Sequence, residues 1–154
     1  MDTKIKSINY SSIQKTFMFL LRIVVGWHLL YEGIVKLLMP EWTSAEYLVM
    51  SRWIFADFFN WIAATPAVLA VVDQINIWGL IIIGLFLMLG LFSRYVAFAG
   101  AVLLSLYYLS NPPFVGLDYG MPSEGNYLVV NKNLIEVFVL LVLGIFHTGR
   151  IWGL

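Results

Sequence analysis

Cysteine and charge are the two features that this sequence most lacks. The 154-residue chain has no cysteine, so it can form no disulfide and hold no cysteine-ligated iron–sulfur cluster. Its nine basic residues are balanced by nine acidic ones, and so it offers no net positive charge to a polyanion. Charged residues make up 12% of the chain, about half the roughly 25% typical of soluble domains. These shortages argue against a disulfide-stabilised domain, an iron–sulfur protein and a nucleic-acid-binding protein.

Apolar residues, in contrast, are abundant. They account for 61% of the chain, and the mean hydropathy is +0.87. A soluble chain of about 150 residues buries only about 70% of the surface that it exposes when unfolded, which would leave too much apolar surface in water. The composition therefore predicts an integral membrane protein, surrounded by lipid, with a single domain over residues 1–154.

Four stretches are candidates for membrane-spanning helices, each of which needs about 20 mostly apolar residues. They cover about residues 17–38, 75–92, 93–110 and 131–148. Pro112 and Pro113 end the third, because proline cannot continue the hydrogen-bond ladder of a helix. The predicted fold is an all-α membrane protein built as a four-helix bundle.

The segment between the first two spans is aromatic and interrupted by Pro66. Trp53, Phe58 and Trp61 favour a helix over about residues 44–63 that lies in the headgroup region on the outer side. A re-entrant or fifth span remains the alternative for this segment.

The basic residues predict the orientation, because Lys and Arg concentrate on the cytoplasmic side. Four spans place both termini on one side. That side carries six of the nine basic residues, namely Lys4, Lys6, Lys15, Arg22, Arg94 and Arg150. We therefore expect both termini in the cytoplasm and the two large loops, 39–74 and 110–133, outside.

Ionisable residues within spans are costly and usually face the bundle interior or water. In the first span, Arg22, His28, Glu32 and Lys36 fall on one stripe about 120° wide. His28–Glu32 and Glu32–Lys36 are four residues apart and can touch. The stripe has two interpretations: a functional site, or a structural ion pair beside a hydrogen-bonded core histidine.

Further polar residues are expected at the same depth on other helices. Glu136 and Asn133 lie on one face of the fourth span, and Asp73 and Asn76 begin the second. With the outer part of the first span they predict a polar pocket between three helices. His147 belongs to the inner edge, so the two histidines lie too far apart in depth to ligate one haem. No metal site is predicted.

Three segments carry a resemblance to a known family. They are RIVVGWHLLYEGIVKLLMPEWTSAEYL (residues 22–48), GLIIIGLFLMLGLFSRYVAFAGA (79–101) and NKNLIEVFVLLVLGIFHTGRIWGL (131–154). In order and spacing they resemble the DoxX superfamily of small four-helix membrane proteins. Within it, the chain is most similar to DoxD, the small membrane subunit of thiosulfate:quinone oxidoreductase.

The resemblance implies electron transfer in the cytoplasmic membrane of a bacterium or archaeon. The related complex oxidises thiosulfate to tetrathionate, passes electrons to quinone and includes a larger DoxA-type subunit. We therefore expect a second subunit or a homo-oligomer, and quinone as a substrate. Under this hypothesis Glu32, His28 and Glu136 are catalytic, and the quinone is bound by Lys36, Asn133, Asn76 and Asp73.

Two other functions are consistent with the sequence. The chain can be a non-catalytic scaffold or assembly subunit, in which case the aromatic loop 42–61 is its docking surface. A transporter or channel is the third hypothesis, although four helices leave little room for an aqueous path and no inverted repeat is present.

Overall fold

A computed structural model of the chain describes residues 10–114, 116–117 and 128–146. All regular elements in these ranges are helices, which confirms the predicted all-helical class. The six helices are α1 (Ser12–Leu38), α2 (Ala45–Val49), α3 (Ala56–Ala64), α4 (Pro66–Leu89), α5 (Ser93–Ser110) and α6 (Lys132–Ile145). Four residues on which the predicted orientation and depth partly rest lie outside these ranges: Lys4, Lys6, His147 and Arg150.

Helices α1 and α4 are long and apolar enough to cross a membrane. With 27 and 24 residues they extend about 40 Å and about 36 Å, against a hydrocarbon thickness of about 30 Å. The long helices turn large apolar side chains outward, including Val24, Ile75, Val102 and Phe138. Such a surface suits lipid rather than water.

Helix α4 begins at Pro66, nine residues before the predicted start of the second span at residue 75. Thr65 is extended and Pro66 takes the first helical position. Proline suits that position because its fixed φ is helical and its missing N–H has no partner there anyway. Pro66 thus interrupts the aromatic segment, and the residues that follow it belong to the helix of the second span.

The single helix predicted over residues 44–63 is wrong, because the structure has two short helices there. The chain leaves helical geometry between Met50 and Phe55. Ser51 Oγ, which is buried, donates a hydrogen bond of 2.7 Å to the carbonyl of Ser110 at the end of α5. The last carbonyls of a helix have no partner within it, and this side chain supplies one.

Helix α2 is fastened across the end of α5 by two further hydrogen bonds. Tyr47 Oη donates to the carbonyl of Tyr107 at 2.9 Å, and Asn111 Nδ2 donates to the carbonyl of Tyr47, also at 2.9 Å. The chain then turns and α3 packs on the first turns of α4 through Phe59 and Ile62. These contacts place the aromatic segment over the side of the bundle rather than leaving it as one straight helix.

Glycine lets α1 and α4 pack closely against each other. A Cβ atom on Gly84 would lie 2.6 Å from the carbonyl oxygen of Gly26, and one on Gly33 would lie 2.9 Å from the backbone nitrogen of Ile81. No real side chain fits at such distances, so only glycine permits this approach. Small residues serve this purpose in membrane helices, where van der Waals packing replaces the hydrophobic effect between helices.

The remaining helices complete one apolar core. Gly90, with φ of 79°, ends α4 in the left-handed region that glycine favours, and the chain turns directly into α5. Helix α5 packs on α6, where Gly144 lies against the ring of Phe98. The most deeply buried apolar side chains of this core are Leu29, Leu80, Leu87, Ala97, Leu104, Leu140 and Leu143.

Candidate functional site

Helices α1 and α6 meet through charged side chains rather than through glycine. His28 Nε2 lies 3.3 Å from Glu136 Oε1 and 3.5 Å from Glu32 Oε1. Lys132 Nζ donates to Glu32 Oε1 at 3.1 Å. We call these four residues, two from each helix, the seam cluster.

The start of α6 positions its half of the seam cluster. Asn131 precedes the helix, and its side chain accepts a hydrogen bond from the N–H of Leu134 at 3.0 Å. Asparagine is among the best residues for this capping role. Lys132 and Glu136 are then one turn apart on the face toward α1. The sequence places His28, Glu32 and Glu136 together, as the structure does, whereas the role of Lys132 is seen only in the structure.

A cavity of about 570 Å³ opens beside the seam cluster, at the same end of the bundle. Apolar and aromatic side chains form most of its wall, with α3 supplying Phe58, Phe59 and Ile62. Its polar lining consists of Glu32, Lys36, Thr43, Ser44, Tyr47, Asn76, Tyr107 and Asn133. The size and the few convergent polar groups are those of a small-molecule site.

Lys36 is the cation of this cavity. Its Nζ donates to Asn76 Oδ1 at 3.0 Å and to Tyr107 Oη at 3.2 Å. It also lies 4.9 Å from the centre of the Trp42 ring and 5.0 Å from that of Tyr107, within cation–π distance. Among the described residues no carboxylate comes within 4.0 Å of it, since Glu32 pairs with Lys132 instead.

An ammonium held in this way is set up to receive an electron-rich oxygen. Its two described hydrogen-bond acceptors are neutral, and they fix the group without cancelling its charge. A lysine ammonium has three donors, so a third remains for a ligand. A carbonyl or anionic oxygen placed in the cavity would gain both a hydrogen bond and charge stabilisation.

The mouth of the cavity is bordered by apolar side chains. Phe58, Ile75 and Leu106 line the cavity and are at the same time 51%, 60% and 45% exposed. In a membrane-embedded protein such side chains face lipid. The cavity therefore suits a ligand that arrives from the bilayer with a polar head and an apolar body.

Asp73 lies apart from the predicted pocket. Its carboxylate accepts hydrogen bonds from the hydroxyl of Thr43 at 2.8 Å and from the backbone N–H and hydroxyl of Ser44. It thus ties the chain before α2 to α4. Of the residues predicted to bind a ligand, the structure brings Lys36, Asn76 and Asn133 to the cavity and uses Asp73 to position one of its walls.

Sequence reasoning did not find three aromatic members of the cavity, Trp42, Tyr47 and Tyr107. Aromatic residues at both ends of spans are expected at the membrane interface, and this general tendency hid their specific contacts. A signal for Tyr107 exists, since it is a polar side chain within the third span. Within the described residues, no group of three His, Asp or Glu side chains is arranged to hold a metal ion.

Comparison with known proteins gives one match. A sequence model of the DoxX family matches residues 17–110. No curated protein and no solved structure matches the chain. The matched range runs from α1 to the end of α5, so it includes His28, Glu32 and Lys36 and stops before the residues that α6 contributes.

Proposed function

Because this chain belongs to the DoxX family, whose members are membrane proteins, we propose that it is the membrane subunit of a quinone-linked oxidoreductase. The cavity beside the seam cluster is the proposed quinone site. Electrons would come from a sulfur compound of the thiosulfate class, oxidised by a partner subunit, as in the DoxD-containing complexes that the sequence resembles.

One observation carries this proposal: a lysine with no carboxylate within 4.0 Å among the described residues faces a mainly apolar cavity whose exposed apolar side chains border its mouth. Quinones are lipid-soluble rings with two carbonyl oxygens. Lys36 would bind one of these oxygens, with Asn76 and Tyr107 holding the ammonium in place. The exposed apolar side chains at the mouth, Phe58 and Ile75, would accommodate the ring substituents and tail.

The chemistry requires two electrons and two protons for each quinone. Two thiosulfate ions give tetrathionate and two electrons, and the quinone becomes a quinol when it also takes up two protons. This chain has no thiol, so it cannot form a persulfide or disulfide with the sulfur compound. Its proposed part is to bind the quinone and supply protons, with Glu32 as the carboxyl group of the cavity wall.

The proposed arrangement in the membrane follows the sequence. Helices α1, α4, α5 and α6 would each cross the bilayer of a bacterial or archaeal cytoplasmic membrane, with both termini in the cytoplasm. The cavity would then lie in the outer half, level with the quinone pool. Helices α2 and α3 would lie along the outer interface, as the exposed Trp61 of α3 and the exposed Ile54 and Phe55 just before it favour.

Quinone binding tests the proposal directly. Protein purified in mild detergent is titrated with decylubiquinone, and binding is followed by quenching of tryptophan fluorescence. We expect saturable binding that Lys36→Met weakens by at least 10-fold, because the ligand oxygen loses its cation. Lys15→Met, which removes an exposed lysine near the other end of α1, is the matched control and is expected to bind like wild type.

Two results would contradict the proposal. One is the absence of saturable binding by the wild-type protein, and the other is equal affinity in Lys36→Met and wild type. Mass spectrometry of the same preparation identifies any co-purified quinone and any partner subunit.

A non-catalytic scaffold is the second candidate, and the surface of α3 favours it. Phe58 and Trp61 stack at 6.2 Å between ring centres, and both are more than half exposed. An exposed aromatic pair can dock a partner as well as a lipid interface. A stoichiometric partner that dissociates in Trp61→Ala, with no quinone bound to either wild-type component, would support the scaffold role over the quinone site.

A further inference from the structure

The seam cluster shares one residue with the cavity and extends away from it. Glu32 lines the cavity, whereas His28 and Glu136 do not. From this continuity we propose that the seam cluster is a proton relay, which rests on the proposed function because it delivers protons to the bound quinone.

The geometry around His28 suits transfer in both directions. A single ring nitrogen, Nε2, faces Oε1 of Glu32 at 3.5 Å and Oε1 of Glu136 at 3.3 Å. A proton on this nitrogen can therefore pass to one carboxylate and be replaced from the other without rotation of the ring. Neither contact is a hydrogen bond in this structure, and the hydrogen bonds of catalytic groups commonly become shorter and better aligned when a substrate is bound.

The groups of the cluster offer a single proton several positions. The His28 ring lies within 3.5 Å of two carboxylates, and one of them, Glu32, also pairs with Lys132. Glu32 is attracted in addition to Lys36, one turn further along α1. A proton can therefore reside on Nε2 or on either carboxylate.

The helices α4 and α5 add neutral polar groups near the cluster. Asn76 of α4 and Tyr107 of α5 are both hydrogen-bonded to Lys36. Further along, the face of α4 that packs on α1 presents glycine and apolar side chains, such as Gly84 and Ile81. The charges that act on the proton of the seam cluster are thus the two glutamates, Lys132 and Lys36.

The relay moves one proton at a time, and every bond is accounted for. As electrons reach the quinone, Glu136, protonated from the aqueous phase, gives its O–H proton to Nε2 of His28. The N–H bond formed there then breaks as an O–H bond forms on Glu32. Glu32 gives this proton to a quinone oxygen, one of the two oxygens in each pass. Two passes convert the quinone and its two electrons into the quinol, and the four side chains return to their starting state.

Infrared difference spectroscopy tests the relay without the natural electron donor. Protein with bound decylubiquinone is reduced at an electrode, and the reduced-minus-oxidised spectrum is recorded in H₂O and D₂O. We expect carboxylic-acid and imidazole bands that shift in D₂O and are lost in Glu136→Gln, while the affinity for decylubiquinone stays within about twofold of wild type. Glu136→Asp, which keeps the carboxyl group, should restore the bands in part, and Glu46→Gln removes an exposed carboxylate as the control.

The outcomes separate the relay from the quinone site. Normal quinone bands with unchanged carboxyl and imidazole bands in Glu136→Gln would overturn the relay and leave the proposed function standing. Failure of the wild-type protein to bind decylubiquinone would overturn the proposed function. It would also overturn the relay, because there would be no quinone to receive the proton.

Discussion

Helix α1 makes two very different contacts along its length. Toward α4 it presents Gly26 and Gly33, and the two backbones approach so closely that a Cβ atom on the facing Gly84 has no room. Toward α6 it presents His28 and Glu32, and the contact consists of a Lys–Glu ion pair and polar His–Glu contacts at 3.1–3.5 Å beside an open cavity.

The comparison indicates that one face of α1 stabilises the fold and that the other carries the groups suited to chemistry. Packing between α1 and α4 is apolar, dense and extends over most of both helices, so it can stabilise the fold without any ligand. The contact with α6 is sparse and polar, and half-exposed ion pairs stabilise a protein little. Charged groups kept in such a place at little structural gain are candidates for function.

The largest expected effect breaks the apolar side of this comparison. Gly84→Leu inserts a side chain where a Cβ atom alone would lie 2.6 Å from the Gly26 carbonyl oxygen. We expect a loss of 3 kcal/mol or more in unfolding free energy, about the upper range for overpacking, because the obstacle is backbone. Thermal unfolding in detergent, followed by circular dichroism, measures it. Gly79→Ala is the control, since its Cβ would meet only Leu103 at 3.7 Å, and equal stability of the two variants would refute the packing argument.

A smaller effect is expected where α2 is tied to α4. Asp73→Ala removes the carboxylate that accepts hydrogen bonds from Thr43 and Ser44. The partly buried hydroxyl and backbone N–H of Ser44 then lose their acceptor. The expected cost is about 1–2 kcal/mol. Decylubiquinone affinity should fall less than in Lys36→Met, since Asp73 acts on the cavity only through its wall. An Asp73→Ala protein as stable as wild type but unable to bind would place this carboxylate in the ligand site instead.

The polar side of the comparison is tested by Lys132→Met, which leaves Glu32 without its cation. Both side chains are partly exposed, at 41% and 30%, so the loss of stability should be only about 0.5–1 kcal/mol. Quinone reduction should change more than stability does, because the charge balance of the seam cluster is altered. The measurements are the unfolding midpoint and the turnover of the reconstituted complex. A loss as large as that of Gly84→Leu would show that the seam is mainly structural.

The smallest expected effect is that of Tyr107→Phe. It removes one hydrogen bond to Lys36 and keeps the ring that lies over the ammonium. We expect the affinity for decylubiquinone to fall by only about two- to fivefold, roughly 0.5–1 kcal/mol, since Asn76 and the ring at position 107 still hold the ammonium. Stability should be unchanged within about 0.5 kcal/mol. An affinity loss equal to that of Lys36→Met would mean that Tyr107 itself contacts the ligand.

Much of the site was predictable because it depends on helical periodicity. His28, Glu32 and Lys36 lie on one stripe of α1, and Glu136 and Asn133 share a face of α6, so their meeting required only that the two faces be adjacent. Partner choice was not predictable in this way. Glu32 is four residues from Lys36, yet it pairs with Lys132, which is 100 residues away in sequence.

The segment between α1 and α4 shows the same limit. Its aromatic content predicts a position at an interface, but the break at residues 50–55 depends on Ser51 reaching the carbonyl of Ser110. Likewise, Asp73 is an aspartate, a residue type that often binds ligands. Only its hydrogen bond with Ser44, seen in the structure, shows that it fixes the start of α2. Contacts between distant segments leave no periodic trace in the sequence.

The sequence by itself determined that this is a helical membrane protein in which Glu32 and Lys36 of α1 and Glu136 of α6 are charges at a similar depth. Scarcity makes this possible, because in a chain with 12% charged residues each intramembrane charge is identifiable and constrained by its cost. The tertiary structure decided which charges neutralise one another and which one, Lys36, faces a cavity without a described carboxylate partner. Pairing depends on distances of a few ångströms between helices, and glycine-mediated packing and the turn after α2 set those distances.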